Sequence, residues 1–138
     1  MPLSSFGAIL TFAETMEASD AGFYRKLAVV AVDKAPLFEQ FAADGEKNVK
    51  TLQRVRRENV TEMILEPISD FFRAPYGIDP GDPSALDSGQ ALAASTVLEK
   101  RAVDFYQTAS QKIRALPEVS RSLKRLGKKR KERLPMVS

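Results

Sequence analysis

Histidine and cysteine are both absent from this 138-residue chain. Without cysteine there is no disulfide, no thiolate nucleophile and no thiolate metal site. Without histidine there is no imidazole ligand, no Ser–His or Cys–His catalysis and no imidazole proton shuttle. Any chemistry has to rest on carboxylates, Lys, Arg, Tyr, Ser or Thr. Long apolar runs are lacking too, since none reaches the ~20 residues needed to cross a bilayer. The opening residues Met1-Pro2-Leu3-Ser4-Ser5 carry no basic stretch followed by an apolar core. No signal peptide is therefore expected, and a soluble, cytoplasmic protein is.

What is present suits one globular domain spanning residues 1–138. Apolar residues make up 43% of the chain, an ordinary share for a packed fold. A domain of this size buries roughly 65–70% of its unfolded-chain surface. The net charge of +3 conceals an uneven distribution. Residues 121–134 hold Arg121, Lys124, Arg125, Lys128, Lys129, Arg130, Lys131 and Arg133 against the single acid Glu132. That stretch is strongly basic and the remainder is mildly acidic.

Four segments have helical periodicity. Over 5–32 an apolar face is built from Phe6, Ile9, Leu10, Ala13, Met16, Phe23, Leu27, Val30 and Ala31, with Ser4 or Ser5 available as cap. Over 34–65 the face is Leu37, Phe38, Phe41, Leu52, Val55, Val60 and Met63. Asp33 is the expected cap there, and Pro36 falls in the first turn, where its missing N–H costs nothing. The third helix spans about 88–115, with Leu92, Leu98, Val103, Phe105 and Ile113. The fourth spans about 117–134, opening on Pro117 with a stripe of Leu116, Val119, Leu123, Leu126 and Leu134. Between the second and third, residues 66–87 are too rich in Pro and Gly for a helix. Ile68, Phe71, Phe72, Tyr76 and Ile78 in that stretch are expected to pack on the helices, because three aromatics left in water would form an unusually apolar patch.

The loops set the topology. The short joins 1–2 and 3–4 make each pair an antiparallel hairpin, and the long crossover can travel the length of the bundle. This all-α arrangement of two hairpins and one crossover is that of ferritin-like four-helix bundles. The halves also resemble each other at an offset of 82 residues. Leu10, Glu17, Phe23, Tyr24, Gly45, Lys47 and Leu52 align without a gap on Leu92, Glu99, Phe105, Tyr106, Gly127, Lys129 and Leu134.

The doubled motif Glu17-x5-Phe23-Tyr24 and Glu99-x5-Phe105-Tyr106 resembles the signature on the first and third helices of rubrerythrin-like proteins. In that family each such Glu is a metal ligand. The second and fourth helices there carry Leu-Ala-x-x-Glu-x-x-His-x3-Leu, whose Glu and His complete a di-iron or di-manganese site. In the matching register of this chain the ligand Glu positions are Gly45 and Gly127, and the His positions are Asn48 and Arg130. The resemblance covers about 6–55 and 90–134 and implies a degenerate member that lacks most of its ligands.

Spacing gives the same register by a separate route. Glu17 and Asn48 lie equally far from the first hairpin turn, and Glu99 and Arg130 equally far from the second. The separation is ~15 residues, or ~23 Å along a helix. The four side chains therefore share one level of the bundle. Glu17 and Glu99 either form an altered cation site with Asn48 or are neutralised by Arg130, a planar cation with five donors. In a third alternative Arg130 extends to solvent. Asp44 and Glu46 flank Gly45 but are each turned about 100° away from the interior. Tyr24 and Tyr106 are relay residues if a metal is bound, and otherwise core aromatics bonding an inward carboxylate.

The reading is of a non-catalytic, metal-free rubrerythrin-like bundle that acts as an interaction or structural protein. The alternative is a rubrerythrin-like oxidoreductase holding iron or manganese through a rearranged carboxylate site. The basic fourth helix suits an acidic protein partner or a second copy of the chain. Nucleic acid is disfavoured, because 107–138 contain no aromatic residue to stack on bases.

Overall fold

The computed structural model describes residues 3, 5–59, 68 and 70–137. They form four long helices, α1 Phe6–Val30, α2 Ala35–Glu58, α3 Ser88–Lys112 and α4 Pro117–Lys131, and a final turn, α5 Leu134–Val137. Ser5 caps α1 by accepting from the Ala8 amide. Pro36 lies in the first turn of α2 and Pro117 opens α4, both where no intrahelical donor is missed. Asp87 and Gln90 close a reciprocal capping box at the start of α3.

Several boundaries differ from the sequence expectation. Helix α1 stops at Val30, and a 3-10 turn, Val32–Lys34, fills the join to α2. Asp33 lies inside that turn instead of capping α2, which starts without a side-chain cap. Its carboxylate accepts from the Ser88 hydroxyl, fastening the first hairpin turn to the start of α3. Residues 60–65, with Val60 and Met63, lie outside the described residues. Helix α3 ends at Lys112 and α4 at Lys131, short of the expected 115 and 134. After α4 the chain turns through Glu132 and Arg133 into α5, whose Val137 carbonyl accepts from the Thr96 hydroxyl of α3.

Helix α1 packs along α2 and α3 along α4, and the two hairpins meet α1 to α3 and α2 to α4. Both pairs are antiparallel. Descending α1 from Arg25 to Glu17 to Glu14, the partners on α2 rise from Glu46 to Asn48 to Arg56. On the other hairpin Ser110 meets Ser120 and Glu99 meets Arg130. The crossover supports this frame only in part. Phe71 is buried and stacks on Phe105, while Tyr76 stands edge-on to both rings. Phe72, expected to pack as well, is 56% exposed. It follows Phe71 directly, and the extended backbone that turns one side chain in turns the next one out.

The apolar interior is split in two. One cluster holds Phe6–Met16 of α1, Leu52 and Val55 of α2, Ala102–Ile113 of α3 and Val119–Leu126 of α4. The other holds Phe23–Ala31, Phe38–Ala42, Ala91, Leu98 and Val137. On α1, α2 and α3 the change from one cluster to the other falls at a polar residue, Glu17, Asn48 and Glu99, and Arg130 lies between Leu126 of the first cluster and Val137 of the second.

Candidate functional site: a buried charge cluster

Those four residues converge. Glu17, Glu99 and Arg130 are fully buried and Asn48 nearly so. Arg130 does not reach solvent. Its Nε donates to Glu99 Oε1 at 2.6 Å and its Nη1 to Glu17 Oε1 at 2.8 Å. Its Nη2 is shared between Asp20 Oδ2 at 2.6 Å and Glu99 Oε2 at 3.1 Å. The planar fork thus spans carboxylates of α1 and α3 from its place on α4. Arg suits the position better than Lys, which would offer a point charge and no fixed geometry.

The tyrosines brace the glutamates across the bundle. The Tyr106 hydroxyl of α3 donates to Glu17 Oε2 of α1 at 2.6 Å, and the Tyr24 hydroxyl of α1 donates to Glu99 Oε2 of α3 at 2.5 Å. Asn48 Nδ2 adds a bond to Glu17 Oε1 at 3.1 Å. Each motif glutamate is therefore held by the tyrosine of the other motif, as the internal repeat requires.

Three members escaped the sequence reading. Asp20 is 1% exposed and accepts from Arg101 Nη2 through both oxygens, at 2.6 and 2.8 Å, as well as from Arg130. Arg101 also donates to the Tyr76 carbonyl, tying the crossover to the cluster. Arg133 approaches Glu99 Oε2 at 3.4 Å and lies over the Phe41 ring. A signal for two of them existed: Asp20 is three residues after Glu17 and Arg133 three after Arg130, hence on the same helical faces. Arg101 had none, being two residues beyond Glu99. The completed group sets carboxylates Glu17, Asp20 and Glu99 against guanidiniums Arg101, Arg130 and Arg133, so its charges balance. Asp44 and Glu46 take no part: Asp44 accepts from Gln40, and Glu46 pairs with Arg25 on the surface.

Burial alone would push the Glu17 carboxyl up, but Arg130, the Tyr106 and Asn48 hydrogen bonds and Arg133 together bring it below its ordinary value. At Asp20 burial prevails over the pull of Arg130 and Arg101, and the nearby Glu17 charge reinforces it, so this carboxyl is raised. Burial, then the adjoining glutamates, lift Tyr24 and Tyr106 well above the usual phenol value, so both remain donors. Arg130 is desolvated, yet the surrounding acids hold its proton more firmly than in water.

Gly45 and Gly127 mark the tightest helix contacts. A Cβ on Gly45 would sit 2.9 Å from Ala21 Cβ and 3.3 Å from the Glu17 carbonyl oxygen. On Gly127 it would sit 2.9 Å from Tyr106 Cβ. Real side chains do not approach so closely, so neither site admits a glutamate without the helices moving apart.

The residues present do not fit a di-iron or di-manganese group. The carboxylate oxygens that would face the ions already accept from Arg130 and the tyrosines, and a guanidinium lies where cations would lie. Among the described residues no group of three or more His, Cys, Asp or Glu is placed to hold a metal ion. No described helix is long and apolar enough to cross a membrane.

Fold and site together define an all-α four-helix protein whose interior is organised by a closed, charge-balanced polar layer. Comparison with family models, with curated proteins and with solved structures gives no match to the chain.

Proposed function

We propose that the chain is a degenerate, metal-free relative of the rubrerythrin-like, ferritin-like bundles, non-catalytic, and acting through its surface as an interaction or structural protein. The observation that supports this most is Arg130. Its four hydrogen bonds to Glu17, Asp20 and Glu99 give the cluster a permanent internal cation. The cross-bracing of Glu17 by Tyr106 and of Glu99 by Tyr24 supports the kinship, since it gives the doubled motif a structural task in both halves. A cluster with its charges balanced and every oxygen of Glu17, Asp20 and Glu99 already accepting offers no open coordination position and no nucleophile.

The test is metal analysis of the purified protein, followed by exposure to ferrous iron and air. The expected result is iron and manganese well below one per chain and no oxo-bridged iron absorption band. Near-stoichiometric metal would favour the rearranged oxidoreductase site instead, with Arg130 withdrawn from the glutamates.

The surface assigned to partners is the outer side of α4, in a protein taken to work in the cytoplasm. Arg121, Lys124, Arg125, Lys128, Lys129 and Lys131 are all exposed there. Lys124, Lys128 and Lys131 line a recess against Gln107 and Ser110 of α3 that no acid borders. An acidic protein, or a second copy of this chain, complements that surface. Sedimentation of the protein alone at low and high salt separates the two, because only self-association produces a salt-sensitive dimer.

A further inference from the structure

Arg133 is used less fully than the other two guanidiniums of the cluster. It is 5% exposed, yet its two hydrogen bonds, to Glu99 Oε2 and to the Phe41 carbonyl, are both 3.4 Å long. That is beyond the usual range for N–H···O contacts. Its Nε makes no hydrogen bond among the described residues. No nitrogen of Arg133 is both sealed from solvent and without a partner, so the unbonded Nε is within reach of water and of a ligand from outside.

Arg133 lines a cavity of about 270 Å³ between α2, the end of α4 and α5. Leu37, Phe41 and Met136 supply an apolar wall, with Met136 56% exposed. Lys47 and Lys129 stand in the same lining, at equivalent positions of the two halves, and neither makes an ion pair among the described residues. Two acids share the lining. Asp44 is occupied by Gln40, and Glu132 lies within ion-pair distance of none of the three cations. Three cations against two acids leave the cavity net positive.

We propose that this cavity binds a small organic carboxylate with a short apolar or aromatic tail. The carboxylate takes the spare donors of Arg133 under the Lys47 and Lys129 ammonium groups, and the tail lies on Leu37, Phe41 and Met136. A carboxylate matches the planar guanidinium through two parallel hydrogen bonds. The volume holds a single-ring acid and excludes large cofactors. The inference goes beyond the non-catalytic reading, since it concerns a pocket outside the polar layer and requires no reaction there.

Benzoate is a suitable probe and benzamide its neutral isostere, followed by NMR with methyl-labelled Met and Leu. Benzoate should give saturable shifts at Met136 and Leu37, and benzamide should bind about tenfold more weakly or worse, because bonds to a charged acceptor are the stronger ones. Arg133→Gln should abolish the preference. That variant disturbs Glu99, so the rim variant Lys47→Gln/Lys129→Gln, which leaves the interior intact, should weaken benzoate several-fold and leave benzamide unchanged. Equal binding of the two probes, benzoate binding indifferent to the rim variant, or shifts that never saturate would each overturn the proposal. Metal analysis is independent of all three outcomes, so failure here is distinguishable from failure of the metal-free reading.

Discussion

Hairpin α1–α2 presents Glu17, Tyr24 and Gly45, and hairpin α3–α4 presents Glu99, Tyr106 and Gly127 in the same register. Each Gly admits the facing helix of its own hairpin, and each Tyr crosses to the Glu of the other. Around this shared frame the halves diverge. Where the first half has Asn48, the second has Arg130; where the first has Ser19 and Thr51, the second has Arg101 and Arg133; opposite Asp20 stands Ala102. The first hairpin therefore brings two buried carboxylates and no buried guanidinium, and the second brings three guanidiniums and one carboxylate. Neither half can bury its charges alone. Burying an uncompensated charge costs several kcal/mol, so the asymmetry makes docking of the two hairpins obligatory where the symmetric frame alone would leave it optional.

Removing the central cation breaks this complementarity most severely. Arg130→Ala leaves Glu17 and part of Glu99 uncompensated and should cost about 3–5 kcal/mol in urea unfolding. Urea is the appropriate denaturant, because guanidinium salts screen the interaction under study. Replacing Glu17 and Glu99 with Gln and Arg130 with Met together should cost much less than the sum of the single changes, since Asp20 keeps Arg101 and only Arg133, at the edge of the cluster, loses its distant acid. A loss of a few tenths of a kcal/mol for Arg130→Ala would mean that the charges do not join the halves.

The glycines test whether the frame is symmetric. Gly45→Ala and Gly127→Ala each place a methyl 2.9 Å from a facing Cβ. Overpacking of this kind costs about 1–3 kcal/mol, partly offset by the roughly 1 kcal/mol that Ala gains over Gly in a helix. Both variants should lose about 1 kcal/mol net. A loss at one site and a gain at the other would show that the frame is duplicated in sequence but not in packing.

How much of this was legible beforehand follows from the same comparison. Glu17, Tyr24, Gly45 and their counterparts stood out because the motif occurs twice at fixed spacing, and Arg130 because it shares their level. The partners that make the cluster neutral did not repeat, so periodicity was silent about them. Arg133 counts in the sequence only as one charge of the basic stretch, and no pattern marks Arg101. Phe72 was misjudged because composition marks a segment as apolar without saying which way each side chain turns.

Two acids one helical turn apart on α1 should respond to pH in opposite senses. Glu17 is depressed from its ordinary 4.5, so its contribution is present above that value and lost as the pH falls through its lower folded value. Asp20 is raised from 3.8, so the folded protein takes up its proton before the unfolded chain does, and its contribution to stability falls as the pH rises through the raised value. Stability measured from pH 7 to pH 3 should show the advantage of wild type over Glu17→Gln shrinking on acidification. Relative to Asp20→Asn, wild type should gain over the same range. Parallel slopes would put the two carboxylates in one electrostatic environment.

The smallest effect concerns the surface, where the halves differ without any demand from the interior. In the first hairpin Arg25 and Glu46 form an exposed pair over the α1–α2 groove. The equivalent positions of the second are Gln107 and Lys128, which line the basic recess beside Lys124 and Lys131. Gln107→Arg with Lys128→Glu transplants the pair. An exposed ion pair contributes about 0–1 kcal/mol, and a glutamate in the last turn of α4 opposes the helix dipole by about 0.3–1 kcal/mol. The stability of the double variant should therefore stay within about 0.5 kcal/mol of wild type. Its association should not stay the same, because the recess loses one ammonium, gains a carboxylate and closes over itself. If the outer side of α4 is where an acidic partner docks, the variant keeps its fold and loses that binding, whereas Arg25→Gln on the other hairpin, which lowers the net charge by the same single unit, leaves binding intact. Equal loss from both variants would mean that net charge governs association and that the recess has no particular role.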